Sequence, residues 1–396
     1  MTQSKARILL IVDGAAAGLP GLQLLLRLRQ AGFGVQVAAS AAAQDFQPAV
    51  SWAAFSGLPC MALEKVSVEQ LAQAELLLAV PISQNRLEQL LSTQQWRKTM
   101  QEHNIPLLAA PALLPDEAET ELNCADTFAE LPAGSRIIMP DEQRWDMGAM
   151  GSIALASTER CMEEVYNFFT VSDLLGKKLL LTAGATIEDI DPVRFISNRS
   201  TGRMGLALAR AAARRGACVK LVHGPLADPL PANPRIEPIA VRSAQQMYEQ
   251  SITELKNMDI AILCAAVADF TPDQYAPKKI KKHGEQELSL LLRRTPDILA
   301  SIGKQEKRPF LVGFAAESDD LELNARLKLQ SKQCDMICAN DIREPGSGFA
   351  VHTNRVSIYS KEGHVTQLPL LSKDKCAEQI LEQVSAHYYA WLQNQR

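Results

Sequence analysis

Short apolar runs alternate with helical segments along the whole chain. The first run, ARILLIVDG at 6–14, is followed by the helical segment GLQLLLRLRQAG and then by a second run, GVQVAAS. Apolar runs without polar alternation are typical of strands that are buried on both faces of a parallel sheet. Because crossovers between parallel strands are right-handed, we predict an α/β fold with doubly wound sheets.

The length of 396 residues indicates two domains of ordinary size. A loosely patterned region between about Pro115 and Asp146 is predicted as surface loop and short helix. A new series of strands and helices starts with KLLLTAG, after the segment VSDLLGKK. We therefore predict one domain at 1–170 and a second at 171–396.

Composition excludes several classes of protein. The formal net charge of −4 gives no support to a nucleic-acid or anionic-membrane binder. The N-terminal apolar run ILLIV is too short for a signal peptide or a membrane span, so we predict a cytoplasmic protein. The eight cysteines include no CxxC pair, and the six histidines lack metal-ligand spacing. Reduced, structural thiols are the favoured interpretation.

Polar or glycine residues stand where the strands of the second domain end. Gly184 follows the first strand and Asp269 the third, while Glu317 and Asn340 close the next two. In doubly wound sheets, ligands bind beyond the carboxyl ends of the strands. The sequence therefore predicts one crevice to which four strand ends contribute.

The segment RFISNRSTGRMG at 194–205 leads into an Ala/Leu/Arg-rich helical run. Ser200 and Thr201 are natural N-caps for a helix that begins near Arg203, and Gly202 allows a ligand to approach the backbone. The N-terminus of a helix is suited to binding phosphate. A well-capped helix with a polar approach is the alternative, and this segment alone does not decide between them.

Three further side chains of this segment fit an anionic ligand. Arg194 and Arg203 add positive charge, and Asn198 is a neutral donor and acceptor that can orient a carboxylate or a mixed anhydride.

The segment APKKIKK at 276–282 is a second candidate for anion binding. It follows the third strand of the domain, so a mobile lysine there could close on a triphosphate. Asp269 is the candidate ligand for a Mg²⁺ ion held mainly by phosphates, since Mg²⁺ needs only one or two protein oxygens. A solvated loop for the lysines, and a turn cap for Asp269, are the alternatives.

Taken together, these segments resemble the ligase half of the bacterial bifunctional phosphopantothenoylcysteine decarboxylase/phosphopantothenate–cysteine ligase. The resemblance runs from about Lys177 to the C-terminus, in the order and spacing of that family. Its segments are TAGAT, DPVRFISNRSTGRMG, AAVADF, KIKK, TPDIL, VGFAAE, the AR.K...K..D.I.AN run and a late GF.

The resemblance implies that the carboxylate of 4'-phosphopantothenate attacks CTP with Mg²⁺, and that cysteine then displaces CMP. Asn198 would handle the acyl-nucleotide beside Arg194, and Lys279 would serve the triphosphate. The implied nucleotide- and phosphate-binding residues are Gly184, Ser200, Thr201, Gly202, Ala265, Ala266, Asp269, Lys279 and Phe314, with Asp269 also at the metal. Two positions depart mildly from the family: Ala185 replaces a usual proline, and Arg203 a frequent lysine.

The first domain resembles the flavodoxin-like, flavin-dependent decarboxylase half in layout only. Ser67 stands nearest the family's catalytic histidine, Leu114 at its substrate-binding asparagine and Arg144 nearest its cysteine. No histidine precedes His103. We therefore predict that decarboxylase activity is absent and that FMN is not bound.

These observations favour a phosphopantothenate–cysteine ligase that carries a degenerate decarboxylase domain. The family also implies a homo-oligomer, at least a dimer through the ligase domain. The alternative is a non-catalytic or regulatory paralogue that binds nucleotide or assembles with active subunits. A nicotinamide oxidoreductase ranks last, because neither strand–turn–helix start carries GxGxxG.

Overall fold

The chain forms two compact units, Met1–Thr170 (unit 1) and Val171–Arg396 (unit 2). They are described from a computed structural model. The structure describes residues 7–14, 18–112, 128–141, 144–146, 152–231, 233–281, 288–348 and 351–395. Within those ranges, no helix combines the length and apolarity that a membrane span requires.

Unit 1 is built on a six-stranded sheet in the order β3-β2-β1-β4-β5-β6, in which all neighbours are parallel. The chain adds strands β2 and β3 on one side of β1 and strands β4, β5 and β6 on the other, as expected for a doubly wound sheet. Leu9 and Leu10 pack into cores on opposite faces. The strands are β1 (Arg7–Val12), β2 (Gly34–Ala39), β3 (Met61–Ala62), β4 (Leu76–Ser83), β5 (Leu107–Ala112) and β6 (Arg136–Ile137), with a separate hairpin of β7 (Arg144–Asp146) and β8 (Ser152–Ala154).

The helices of unit 1 cover both faces of its sheet. Their described members are α1 (Gly18–Ala31), α2 (Ala41–Phe46), α3 (Ala49–Ser56), α4 (Val68–Leu71), α5 (Gln84–Ser92), α6 (Gln94–Glu102) and α7 (Thr158–Phe169). Trp52 of α3 is fully buried in the same core as Leu10.

Unit 2 is built on an eight-stranded sheet in the order β13-β12-β9-β14-β17-β18-β20-β21. The first six strands are parallel, and the last two continue the sheet as antiparallel strands. The α/β architecture predicted from the apolar runs is therefore confirmed in both units. The strands are β9 (Lys178–Ala183), β12 (Cys218–His223), β13 (Ile236–Ala240), β14 (Ile260–Leu263), β17 (Phe310–Glu317), β18 (Met336–Asp341), β20 (Ser357–Ser360) and β21 (Val365–Gln367).

Three two-stranded sheets accompany the large one: β10 (Ile187–Asp189) with β11 (Phe195–Ser197), β15 (Phe270–Pro272) with β16 (Leu292–Arg294), and β19 (Thr353–Asn354) with β22 (Leu371–Ser372). The helices are α8 (Arg203–Arg214), α9 (Ala244–Glu254), α10 (Ile298–Gly303), α11 (Leu321–Ser331) and α12 (Lys373–Asn394). Side chains of α8 and α12 pack on one face of the large sheet. Those of α9, α10 and α11 pack on the other face.

The start of α8 agrees with the sequence in position but not in its cap. The helix begins at Arg203, as predicted, and Gly216 adopts the left-handed φ of +91° expected just beyond its end. The N-cap is Gly202, with φ +76°, and it provides no side-chain cap. The prediction that Ser200 and Thr201 cap the helix is therefore wrong. The hydroxyl of Ser200 instead accepts the N–H of the N-cap residue Gly202 at 3.4 Å and leaves the N–H groups of the first helical turn uncapped.

Candidate functional site

A cavity of about 810 Å³ opens at the carboxyl ends of β9, β14, β17 and β18. This is the edge at which doubly wound sheets bind their ligands. Eight of the predicted site residues line it: Asn198, Ser200, Thr201, Gly202, Ala265, Ala266, Asp269 and Phe314. Asn340, predicted to close a strand at the crevice, also lines it.

The loop Ala265–Ala268 runs across the strand ends and is fastened by three polar side chains. Thr182 Oγ1 accepts the N–H of Ala265 at 3.1 Å, and Thr186 Oγ1 accepts the N–H of Ala268 at 3.0 Å. Asn198 Nδ2 donates to the carbonyls of Ala266 and Val267, both at 3.1 Å. The amide of Asn198 is therefore held in one orientation on the cavity wall.

The N-terminus of α8 enters the same cavity without a side-chain cap. Its first N–H groups and the positive end of its dipole are consequently available to an anion. Gly202 is required here, because a Cβ would lie 2.3 Å from Leu226 Cδ2 at a positive φ. Gly184 lies directly behind it: a Cβ on Gly202 would lie 3.3 Å from the Cα of Gly184, so Gly184 supports the turn rather than lining the cavity.

Arg194 and Lys279 lie outside the described cavity lining, and one buried carboxylate connects their segments. Asp191, whose side chain is 0% exposed, pairs with the guanidinium of Arg194 and accepts the N–H of Ile280 at 3.1 Å. Arg194 Nη2 also donates to the carbonyl of Ile280 at 3.0 Å. The guanidinium of Arg194, helped by backbone N–H groups, holds the pKa of Asp191 well below its usual range. Arg194 thus anchors the lysine-bearing loop, on which the side chain of Lys279 is exposed.

Five cations line the wall of the cavity: Arg203, Arg294, Lys328, Lys332 and Lys373. Lys328 Nζ donates to the carbonyl of Phe314 at 2.9 Å, and Lys332 pairs with Asp297. Arg203 forms a two-point pair with Asp228, and Lys373 comes from the first turn of α12. The i, i+4 spacing of the two lysines in AR.K...K was a usable signal, because it places both on one helix face.

The two carboxylates of the cavity wall, Asp297 and Asp269, differ in their partners and exposure. Burial of Asp297 opposes its ionisation, but Lys332 and the N–H of Ala300 outweigh it and lower the pKa of Asp297. Asp269 presents an exposed carboxylate on the wall, which is the hard oxygen ligand that Mg²⁺ prefers. Among the described residues, no three His, Cys, Asp or Glu side chains cluster as metal ligands.

The equivalent edge of unit 1 is arranged differently. Asp13 follows β1 and accepts a hydrogen bond from Ser83 Oγ at 2.7 Å, and Arg86 Nε lies 3.5 Å from its other carboxylate oxygen. Ser83 also caps α5, and the buried Ser40 caps α2 while accepting the N–H of Gly14 at 3.2 Å. The polar groups at these strand ends are therefore engaged with one another.

The residues at the expected decarboxylase positions are described only in part. Ser67 is the N-cap of α4 and forms a capping box with Gln70. Leu114 and the side chain of Arg144 lie outside the described residues.

Comparison with known proteins places this chain in a family. Residues 174–388 match the DNA/pantothenate metabolism flavoprotein C-terminal domain. A coenzyme A biosynthesis bifunctional protein CoaBC of Vibrio vulnificus (strain YJ016) is 34% identical over 97% of this chain and 98% of its own length. A cysteine/cysteine sulfinic acid decarboxylase of an unknown prokaryotic organism is 42% identical over 70% of this chain and 79% of its own.

A crystal structure of the C-terminal domain of a CoaBC protein is 40% identical, covers 54% of this chain and 97% of its own, and gives a TM-score of 0.46. The near full-length sequence match and the family match at 174–388 carry the assignment. The chain belongs to the family of the bifunctional CoaBC proteins, which are enzymes of coenzyme A biosynthesis.

Proposed function

We propose that unit 2 is a phosphopantothenate–cysteine ligase that uses CTP. The observation that carries this proposal is the shared cavity of Asn198, the Ala265–Ala268 loop and the uncapped N-terminus of α8. A neutral amide beside an anion-binding helix end suits a reaction in which a carboxylate becomes a mixed anhydride with a nucleotide.

The reaction has two steps. A carboxylate oxygen of 4'-phosphopantothenate attacks the α-phosphorus of CTP, the bond to the β-phosphate oxygen breaks, and pyrophosphate leaves. The amine of cysteine then attacks the acyl carbon, CMP leaves with the electron pair of the acyl–oxygen bond, and the amine loses a proton. Asn198 is fixed where it can orient the acyl-nucleotide, and the N–H groups of α8 would donate hydrogen bonds to phosphate oxygens.

Lys279 and Asp269 complete the triphosphate site in this proposal. Lys279 is carried by a loop whose base is held at Ile280 by Asp191 and Arg194, so the lysine can move while its attachment stays fixed. Asp269 would hold a Mg²⁺ ion together with phosphate oxygens, and the ion would neutralise charge on the leaving pyrophosphate.

Unit 1 does not fit a flavin decarboxylase in this proposal. The phosphate of FMN would meet the carboxylate of Asp13 at the strand ends, where the neighbouring hydroxyl and guanidinium groups are already engaged. Ser67 serves as a helix cap. In this proposal the activity named for the cysteine/cysteine sulfinic acid decarboxylase is absent from this chain, and a separate enzyme decarboxylates the product. The purified protein should be colourless, and a bound flavin spectrum would contradict this part.

Assembly through unit 2 is also part of the proposal. The sheets β10–β11 and β15–β16 expose several large apolar side chains, and Leu291, just before β16, is 76% exposed. The others are Val193, Phe195, Phe270 and Tyr275. A second copy of the chain would cover them, as the family resemblance implies. Light scattering on the purified protein should give at least a dimer, and a monomer would exclude this assembly.

The decisive experiment is pyrophosphate release by the purified chain with phosphopantothenate, cysteine and Mg²⁺, with CTP compared against ATP. Release that requires phosphopantothenate and prefers CTP is the expected result. Folded protein that releases no pyrophosphate with either nucleotide would favour the regulatory paralogue instead.

A further inference from the structure

Lys373 is a buried cation in the wall of the unit 2 cavity. It is the first residue of α12, and only 7% of its surface is exposed. Lysine is rarely buried, and an ammonium at a helix N-terminus faces the positive end of the dipole. Burial of the ammonium and its position at the helix N-terminus therefore both cost free energy, which a bound anion would offset.

Lys373 is held in place by one hydrogen bond from its backbone and one from its side chain. Its backbone N–H donates to the carbonyl of His352 at 3.0 Å, and Nζ donates to the carbonyl of Gly348 at 3.1 Å. Gly348 itself lines the cavity. The ammonium is thus fixed at the wall, so little conformational entropy would be lost when it meets a ligand.

Positive charge accumulates on this side of the cavity. Burial, with a further contribution from Arg203, lowers the pKa of Lys373. Asp228 acts in the opposite direction, but its carboxylate is shared in the two-point pair with Arg203. The uncapped N-terminus of α8 adds partial positive charge. A bound anionic ligand would neutralise part of this positive charge.

The cavity has cations on two opposite faces of the sheet. Lys328 lies in α11 and Lys332 is its C-cap residue, and this helix packs on one face. Lys373 and Arg203 belong to α12 and α8, which pack on the other. The proposed reaction uses two phosphorylated substrates, so two separate cationic walls match its stoichiometry.

We infer that Lys373 is a substrate-binding residue that contacts a phosphoryl group from the α8–α12 side of the cavity. This inference rests on the proposed function for the identity of the two candidate ligands. The phosphoryl group belongs either to the nucleotide or to phosphopantothenate, and the test distinguishes them.

Calorimetric titration of the full chain with CTP plus Mg²⁺, and separately with 4'-phosphopantothenate, tests the inference. Lys373→Met removes the charge at similar length and should weaken binding of one ligand roughly tenfold or more, since hydrogen bonds to charged groups are strong. Lys373→Arg should retain most of that affinity. Lys375→Met, an exposed lysine of the same helix turn, is the matched control and should change neither.

The ligand whose affinity falls identifies the source of the phosphoryl group. Unchanged affinity for both ligands in Lys373→Met, an equal loss in Lys373→Arg, or a wild-type chain that binds neither ligand would overturn the inference. Binding without pyrophosphate release would instead count against the ligase and leave Lys373 in place.

A measurement on the wild-type chain covers the case in which the variants fold poorly. The groups that act electrostatically on Lys373 are Arg203 of α8, Asp228, Cys264 after β14 and Cys376 of α12. Because its pKa is lowered, the ammonium loses its proton below the usual pH for lysine, and affinity for the phosphorylated ligand should fall there. Affinity that shows no loss as the pH rises to the usual lysine pKa of about 10.4 would contradict a contact by this side chain.

Discussion

The two units carry the same kind of sheet, yet the described polar groups at their carboxyl edges are arranged differently. In unit 2, the helix that follows β9 starts at a glycine without a side-chain cap, and a cavity opens in front of it. In unit 1, serines cap α2 and α5, and the carboxylate of Asp13 lies among the donors at the strand ends. A doubly wound sheet supplies the place for a ligand, and the polar groups at its strand ends differ between the two units.

Asn198→Asp should have the largest effect on unit 2. A carboxylate there would set an oxygen against the carbonyls of Ala266 and Val267 and would repel an anionic acyl-nucleotide. Amide formation should fall at least about 100-fold, the loss typical when a preorganised polar group is removed. Mass spectrometry of phosphopantothenoylcysteine measures this directly.

Asn324→Asp is the matched control for that variant, because Asn324 also donates Nδ2 to a backbone carbonyl but lies outside the described cavity lining. Its activity should match that of the wild type. Normal amide formation by Asn198→Asp would remove Asn198 from the mechanism.

Lys279→Ala should have the next largest effect. Its side chain is exposed, so folding should be unaffected, while acyl-nucleotide formation slows roughly 10- to 100-fold through lost charge stabilisation. Single-turnover pyrophosphate release is the measurement. Lys278→Ala, the adjacent exposed lysine, is the control. Equal rates of pyrophosphate release in both variants would indicate that the lysine segment is a solvated loop without a role in the reaction.

Asp191→Asn should lower activity less, by about tenfold or less, because it displaces the Lys279 loop without touching the cavity. The folded pKa of Asp191 lies below its unfolded value. The stability it contributes is therefore fully present above about pH 4 and is lost only as the pH falls further, through the folded pKa.

Chemical denaturation at several pH values checks this dependence. The difference in unfolding free energy between wild type and Asp191→Asn should be constant from pH 5 to 8. A difference that shrinks between pH 7 and pH 5 would show that Arg194 does not hold the carboxylate ionised.

How far the sequence predicts this protein depends on the range of the interaction. Apolar runs such as RILLIV fix strands locally, and Gly216 marks a helix end, so both were readable. The cap of α8 was not: Ser200 has the right side chain, but the left-handed Gly202 places the helix start beyond its reach. The pairing of Arg194 with Asp191 and Ile280, and the burial of Lys373, depend on segments far apart in the chain. Residue type alone cannot reveal such partners.

Asp13→Asn should have no effect on ligase activity and therefore tests the unit 1 side of the comparison alone. The change keeps the shape but removes the charge that Ser83 and Arg86 engage, at a side chain only 10% exposed. It should lower the unfolding free energy of unit 1 by about 1.5–3 kcal/mol, the range for a hydrogen bond to a charged group. Glu64→Gln, which removes the outer and more exposed partner of Arg86, should change it by about 0.5 kcal/mol or less. Denaturation followed by hydrogen exchange in unit 1 compares the two variants. If Asp13→Asn lowers the unfolding free energy no more than Glu64→Gln does, Asp13 does not stabilise the strand ends of unit 1. The contrast between the carboxyl edges of the two units then loses its physical basis.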